Sequence, residues 1–284
     1  MKSFIEALFD PSLPFVRNAL AMGLLSSVLF GVVGSVVTVR RIAGLAGAIS
    51  HAVLGGVGLA LFLKASGVAP WLSPRIGALA FALLAAALVG LVSLKAKARE
   101  DTVINAIWAI GMSIGVLFLA RTPGYADPMA YLFGNILLVG SGDLAMVAVL
   151  DLVMVALAWR FYAQVEAASF DEEFARTRGV NTDAVFLGIL GAVAVSVVLL
   201  STFVGIVLVI AMLTLPAGTA SGGARNLKRM MLLSTLLAAA FSTAGLALAW
   251  ELDLPAGAVV VVLSGGVFLA SQAARAVRAR GGRG

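Results

Sequence analysis

The sequence contains no cysteine and a single histidine, and charge of either sign is scarce. Without cysteine it cannot be a disulfide-stapled secreted scaffold. Asp, Glu, Lys and Arg make up 12% of the 284 residues, against about 25% in soluble domains, which is too little to keep a water-facing surface solvated. Several motifs are missing as well. There is no G-x-x-x-x-G-K-S/T phosphate loop, so this chain does not itself bind ATP in that way. There is no H-E-x-x-H, so no metal cage of an intramembrane protease is visible. No segment alternates apolar and polar residues with period two, which argues against a transmembrane barrel. An apolar content of 61% excludes a disordered chain. The net charge of +6 does not mark a nucleic-acid binder, because the basic residues sit in short clusters between apolar runs rather than as one patch. What remains is an all-α polytopic membrane protein.

A helical crossing needs about 20 mostly apolar residues. Runs of that kind predict nine crossings, near 17–39, 46–63, 74–94, 102–120, 143–162, 184–200, 203–220, 231–250 and 256–274. With the N-terminus outside, fifteen of the twenty basic residues fall in inner loops, among them Arg40, Arg41, Arg176, Arg178, Arg225, Lys228, Arg229, Arg275 and Arg278. The other five are Lys2, Arg17, Lys64, Arg75 and Arg121. This asymmetry places the C-terminus in the cytoplasm. The first residues do not read as a cleavable signal, since Glu6 and Asp10 replace a basic n-region. Met1 to Phe9 is instead either a short amphipathic helix on the outer surface or a frayed end. No linker or soluble domain interrupts residues 1–284, which read as one transmembrane domain.

The longest polar interruption is Phe170-Asp-Glu-Glu-Phe-Ala-Arg-Thr-Arg-Gly-Val180. A helix there would put Phe170 and Phe174 on one face, with Asp171, Glu172 and Glu173 in its first turn and Arg176 and Arg178 in its last, as the helix dipole favours. Gly179 follows as a C-cap. The segment reads as a docking element for a soluble partner or as a connecting helix on the membrane surface.

His51 lies ten residues beyond Arg41, roughly 15 Å along a helix and so near the bilayer midplane. An ionisable group at that depth is a functional candidate by default, the alternative being a histidine hydrogen-bonded between helices. Ser50 beside it adds an oxygen, and Gly44, Gly47, Gly55 and Gly56 let backbones or a substrate approach. One histidine per chain cannot close a metal site that wants about four ligands, whereas a homodimer would bring two. Asp151 is the other buried-span candidate, as a pathway residue or an interhelical partner. Asn105 and Asn135 suggest hydrogen bonds between helices. Gly111-Met-Ser-Ile-Gly115 fits the small-xxx-small pattern of close helix packing. The nine methionines are scattered, as core filler is.

Three segments, in order, resemble the membrane (permease) subunits of ABC importers for zinc, manganese and related metal ions. The first runs from Arg40-Arg41 through Ser50-His51 to Gly56 and is similar to the family's "RR…GDALSHA…PG" stretch. The second is Tyr131-Leu-Phe-Gly-Asn135 with Ser141-Gly-Asp-Leu144, followed by 170–180. The third is Val209-Ile-Ala-Met-Leu-Thr-Leu-Pro-Ala-Gly-Thr-Ala220, then Leu252-Asp-Leu-Pro-Ala-Gly257. The resemblance implies a type II ABC importer-like fold, related to the vitamin B12 and siderophore importers, in the inner membrane of a prokaryote. It implies a second permease chain, a cytoplasmic ABC ATPase dimer that hydrolyses the ATP, an extracytoplasmic metal-binding protein, and a divalent zinc, manganese or iron ion as substrate. On this reading 170–180 is the coupling segment, with Phe170, Glu173, Phe174, Ala175 and Gly179 meeting the ATPase, while His51, Ser50 and Asp151 line the metal path. The sequence departs from the family at Gly47, where the family has an aspartate one turn before its histidine, and at Gly55, where it has proline. The competing expectation is an ion-coupled secondary transporter with His51 and Asp151 as the relay.

Overall fold

A computed structural model of the chain describes residues 3–95, 100–123, 134 and 139–281. Among these residues every regular element is a helix: α1 (Phe4–Phe9), α2 (Pro14–Val39), α3 (Ala43–Ala65), α4 (Pro74–Lys95), α5 (Glu100–Arg121), α6 (Ser141–Arg160), α7 (Tyr162–Phe170), α8 (Glu172–Thr177), α9 (Thr182–Val204), α10 (Ile206–Ala220), α11 (Leu227–Leu252) and α12 (Ala256–Gly281). Eight of them are long and apolar enough to cross a membrane, and α10 is a shorter apolar helix of 15 residues. The predicted crossing at 203–220 is thus a short helix, set off from α9 by Gly205, whose φ of +85° suits glycine and ends α9.

The helices form two compact units. The first comprises residues 1–38, 135–155 and 211–284. In it α2 packs on α11 through small residues: the Ser35 hydroxyl lies 3.1 Å from that of Ser234, and a Cβ on Gly31 would overlap Thr235. Short helix α1 starts with a capping box between Ser3 and Glu6. It buries Phe4 and Ala7 against Val16, Ala19 and Leu246, and the Phe4 N–H donates to Glu251 Oε1 at 2.8 Å. Of the two alternatives for the first residues, the helix is the one formed, over Phe4–Phe9, with Ile5 and Phe9 exposed on it.

The second unit comprises residues 39–134 and 156–210, so it holds α3, α4, α5, α7, α8 and α9. Its centre is α3, where Gly56 faces Gly77 of α4 so closely that a Cβ on either would overlap the other's carbonyl oxygen. Helix α5 approaches on another side through the predicted glycine pattern. A Cβ on Gly111 would stand 2.7 Å from Ala52 Cα, and one on Gly58 would stand 2.5 Å from the Gly115 carbonyl. Contacts this short require glycine, and they let the dispersion surfaces of the two helices meet. Asn105 on the same helix α5 is exposed and its side chain makes no hydrogen bond among the described residues, so the expected interhelical bond is absent there. Asn135 and most of the 131–135 motif lie outside the described residues; Gly134, with φ +65°, sits against the Val204–Gly205 backbone.

Candidate functional site

The α3–α5 approach sets the register of two rings. Ala52 meets Gly111, so the preceding residue His51 falls beside Trp108, one turn earlier on α5. The imidazole and indole stack with centroids 4.6 Å apart and 14° between their planes. The Trp108 Nε1–H points at the Met112 sulfur, 3.2 Å away. His51 is half-buried, and its Nδ1 is buried with no hydrogen-bond partner among the described residues. One turn earlier on the same helix face, a Cβ on Gly47 would meet nothing within 4 Å. The histidine therefore has open space beside it, at the position where the metal-importer resemblance would place a carboxylate.

Ser50 is fully buried, and its hydroxyl donates to the Ala46 carbonyl at 2.8 Å. That local bond uses the hydroxyl hydrogen and keeps the buried oxygen against α3. Asp151 lies on α6, buried, with neither carboxylate oxygen hydrogen-bonded among the described residues. Asp151 belongs to the first unit and His51 to the second. Among the described residues no group of three or more His, Cys, Asp or Glu side chains comes together. One imidazole with open space beside it can hold a cation in passage and release it; it cannot enclose one.

The polar interruption folds differently from the single helix expected of it. Asp171 adopts extended backbone (φ −148°, ψ 94°), ending α7 at Phe170 and starting α8 at Glu172. Its carboxylate accepts from the Phe174 N–H at 2.8 Å, an N-cap that competes successfully with a continuous helix. Phe170 and Phe174 thus belong to two helices and share no helix face, although both stay exposed, at 64% and 51%. Glu173 is exposed beside Phe174, whereas Ala175 is fully buried and presents no surface to a partner. Gly179 closes the segment at φ +80°, as a C-terminal glycine should.

Charge braces this elbow. Arg176 donates to Glu172 at 3.0 Å and to Asp183 at 2.6 Å, tying α8 to the start of α9. Partial burial pushes the Glu172 carboxyl up, but the Arg176 hydrogen bond, the charges of Arg40 and Arg176 and the Thr182 hydroxyl together hold it below the usual range. Arg176 moves above its ordinary value, first through its hydrogen bond to Glu172.

Trp108 and Met112 gained no weight from the sequence as partners of His51. The available signal was the Gly111–Gly115 pattern, which fixes the face of α5 that meets α3 and hence which residues flank the contact.

Residues 12–275 match the model of the family described as the ABC 3 transport family. A probable metal transport system membrane protein of Chlamydia trachomatis is 35% identical over 94% of this chain and 90% of its own length. The manganese import system permease protein ScaB of Streptococcus gordonii is 32% identical, covering 95% of this chain and 94% of its own. Among solved structures, PsaBC from Streptococcus pneumoniae in complex with Fab matches with a TM-score of 0.82 at 30% identity, over 94% of each chain.

Proposed function

The chain belongs to the ABC 3 transport family, as a multi-pass permease subunit of a metal-ion ABC importer whose ATP is hydrolysed on a separate chain, and from that membership we propose the details of its transport cycle. It sits in the inner membrane of a prokaryote, pairs with a second permease chain, and receives a divalent cation from an extracytoplasmic metal-binding protein. A cytoplasmic ATPase dimer engages the α7–α8 elbow through Phe170, Phe174 and Glu173. Residues 1–284 act as one permease domain.

The observation that carries the reading is the His51 environment. A lone imidazole with an unpartnered nitrogen and open space at Gly47 lies in a helix long enough to span the membrane, where polar groups mark pathways. The second permease chain would bring a second copy of His51. Manganese is the first cation to test, because the relative ScaB carries a manganese import name; zinc and iron are its competitors. Imidazole accepts all of these, so the ligand type alone does not choose.

The test is metal uptake by the complete importer in proteoliposomes, with manganese, zinc and iron in competition and with and without ATP inside. ATP-dependent accumulation of one of the three supports the proposal. Accumulation driven by a proton or sodium gradient without ATP overturns it in favour of a relay through His51 and Asp151.

A further inference from the structure

Arg40 stands in the connection between α2 and α3, three residues before α3 begins. Its neighbour Arg41 is exposed, as an arginine that only sets membrane orientation can be. Arg40 instead has a side chain only 10% exposed and touches three helices at once. Its Nη1 donates to the Ala168 carbonyl at 3.1 Å. Ala168 lies in the last turn of α7, where carbonyls lack an intrahelical partner and the helix dipole is negative. Its Nη2 lies 3.8 Å from Glu172, the first residue of α8. Its guanidinium carbon is 5.3 Å from the centre of the Phe186 ring on α9, within cation–π range. Burial pulls the Arg40 pKa down and the Glu172 charge opposes that pull.

The guanidinium therefore clamps the α7–α8 elbow from the side of α3. Among the described residues, the other polar side-chain contacts of α8 stay within the Asp171–Arg178 turn or run to Thr182 and Asp183 on α9. Among the described residues, Arg40 gives α8 a polar link to the base of the helix that carries His51.

We propose that Arg40 is a positioning residue that transmits displacement of α8 to α3, and so couples ATPase closure to opening of the path beside His51. The proposal rests on the reading of the α7–α8 elbow as the ATPase docking site. The planar fork of arginine suits the role because it meets a carbonyl, a carboxylate and a ring face together. A lysine ammonium keeps the charge but not that geometry.

The test uses the complete importer in proteoliposomes and reads three quantities: ATPase co-purification, ATP turnover, and manganese taken up per ATP hydrolysed. For Arg40→Gln, co-purification and turnover should stay within about twofold of wild type while uptake per ATP falls roughly tenfold, the size of a typical coupling between sites. Arg40→Lys should fall between the two, and Glu172→Gln should lose less than Arg40→Gln because the carbonyl and ring contacts remain. Unchanged uptake per ATP in Arg40→Gln overturns the proposal. So does parallel loss of co-purification and uptake in both Arg40 variants, which would make Arg40 a prop of the fold. Failure of the docking reading is seen separately, as a Phe174→Asp importer that still co-purifies with its ATPase.

Discussion

The imidazole of His51 lies flat against the indole of Trp108, with ring centroids 4.6 Å apart and 14° between the planes. Stacking of this kind contributes about 0.5–1.5 kcal/mol beyond the area it buries. Trp108 therefore covers one face of the imidazole and holds the plane of the ring. His51→Ala should reduce manganese uptake in proteoliposomes by roughly tenfold or more, as expected for loss of an ionisable residue inside a membrane pathway. Trp108→Leu keeps an apolar wall but frees the ring, and should cost about two- to tenfold, the equivalent of the stacking energy. Wild-type rates in both variants would remove the pair from the pathway.

The glycines of α3 are not equivalent. A Cβ on Gly56 would overlap the Gly77 carbonyl, whereas one on Gly47 would meet nothing within 4 Å. Gly56→Ala must push α3 and α4 apart and should destabilise the detergent-solubilised protein by about 1–3 kcal/mol. Gly47→Ala should be neutral or stabilising by up to about 1 kcal/mol, since alanine is the better helix former. Thermal unfolding of the two variants side by side checks both values, and an equal loss at each position would show that the space beside His51 is closed. Gly47→Asp would place a carboxylate one turn from His51.

Eight spans and the all-helical class were legible in the sequence because runs of about 20 apolar residues with little charge have few other folds available to them. Gly205 was harder, since the residues on both its sides are equally apolar and only its left-handed φ marks the break. The Phe170–Phe174 pairing failed because the i,i+4 rule assumes an unbroken helix, while Asp171 gains more by capping α8 than by continuing α7. His51 stood out by its depth, but its neighbours come from α5, some 57 positions along the chain at Trp108, and that register is set by packing. Asn105 shows the opposite error: a polar residue in a span was assigned a partner, and it lies exposed.

Phe174 and Ala175 separate docking from folding. Phe174 is half exposed, with the Arg178 guanidinium 5.2 Å from its ring centre, whereas Ala175 is fully buried. Phe174→Asp leaves the core of the elbow intact, so it should abolish ATPase co-purification with a melting temperature close to that of wild type. An aromatic anchor at the centre of an interface is commonly worth about 2 kcal/mol or more, enough for at least a tenfold loss of affinity. Ala175→Asp should instead lower the melting temperature, because it buries an unpaired carboxylate. Co-purification retained in Phe174→Asp would place the ATPase contact elsewhere.

The Glu172 carboxylate gives the elbow a defined response to pH. Its pKa is held below the usual range by Arg176, Arg40 and Thr182 against the opposing effect of burial. A carboxyl whose folded pKa is depressed adds stability that is fully present above its unfolded value. That stability is lost as pH falls through the lower, folded value. The arginines stay cationic throughout this window, so protonation of Glu172 alone breaks the pairs. The side chain is 42% exposed, so water and salt screen the network, and its contribution is held to a few tenths up to about 1 kcal/mol. The stability difference between wild type and Glu172→Gln should therefore stay constant from pH 8 to about pH 5, then shrink below about pH 4.3, the ordinary glutamate value. It should also shrink with added salt at neutral pH. Thermal unfolding across that range measures it, and a difference that grows on acidification would reverse the sign assigned to Glu172.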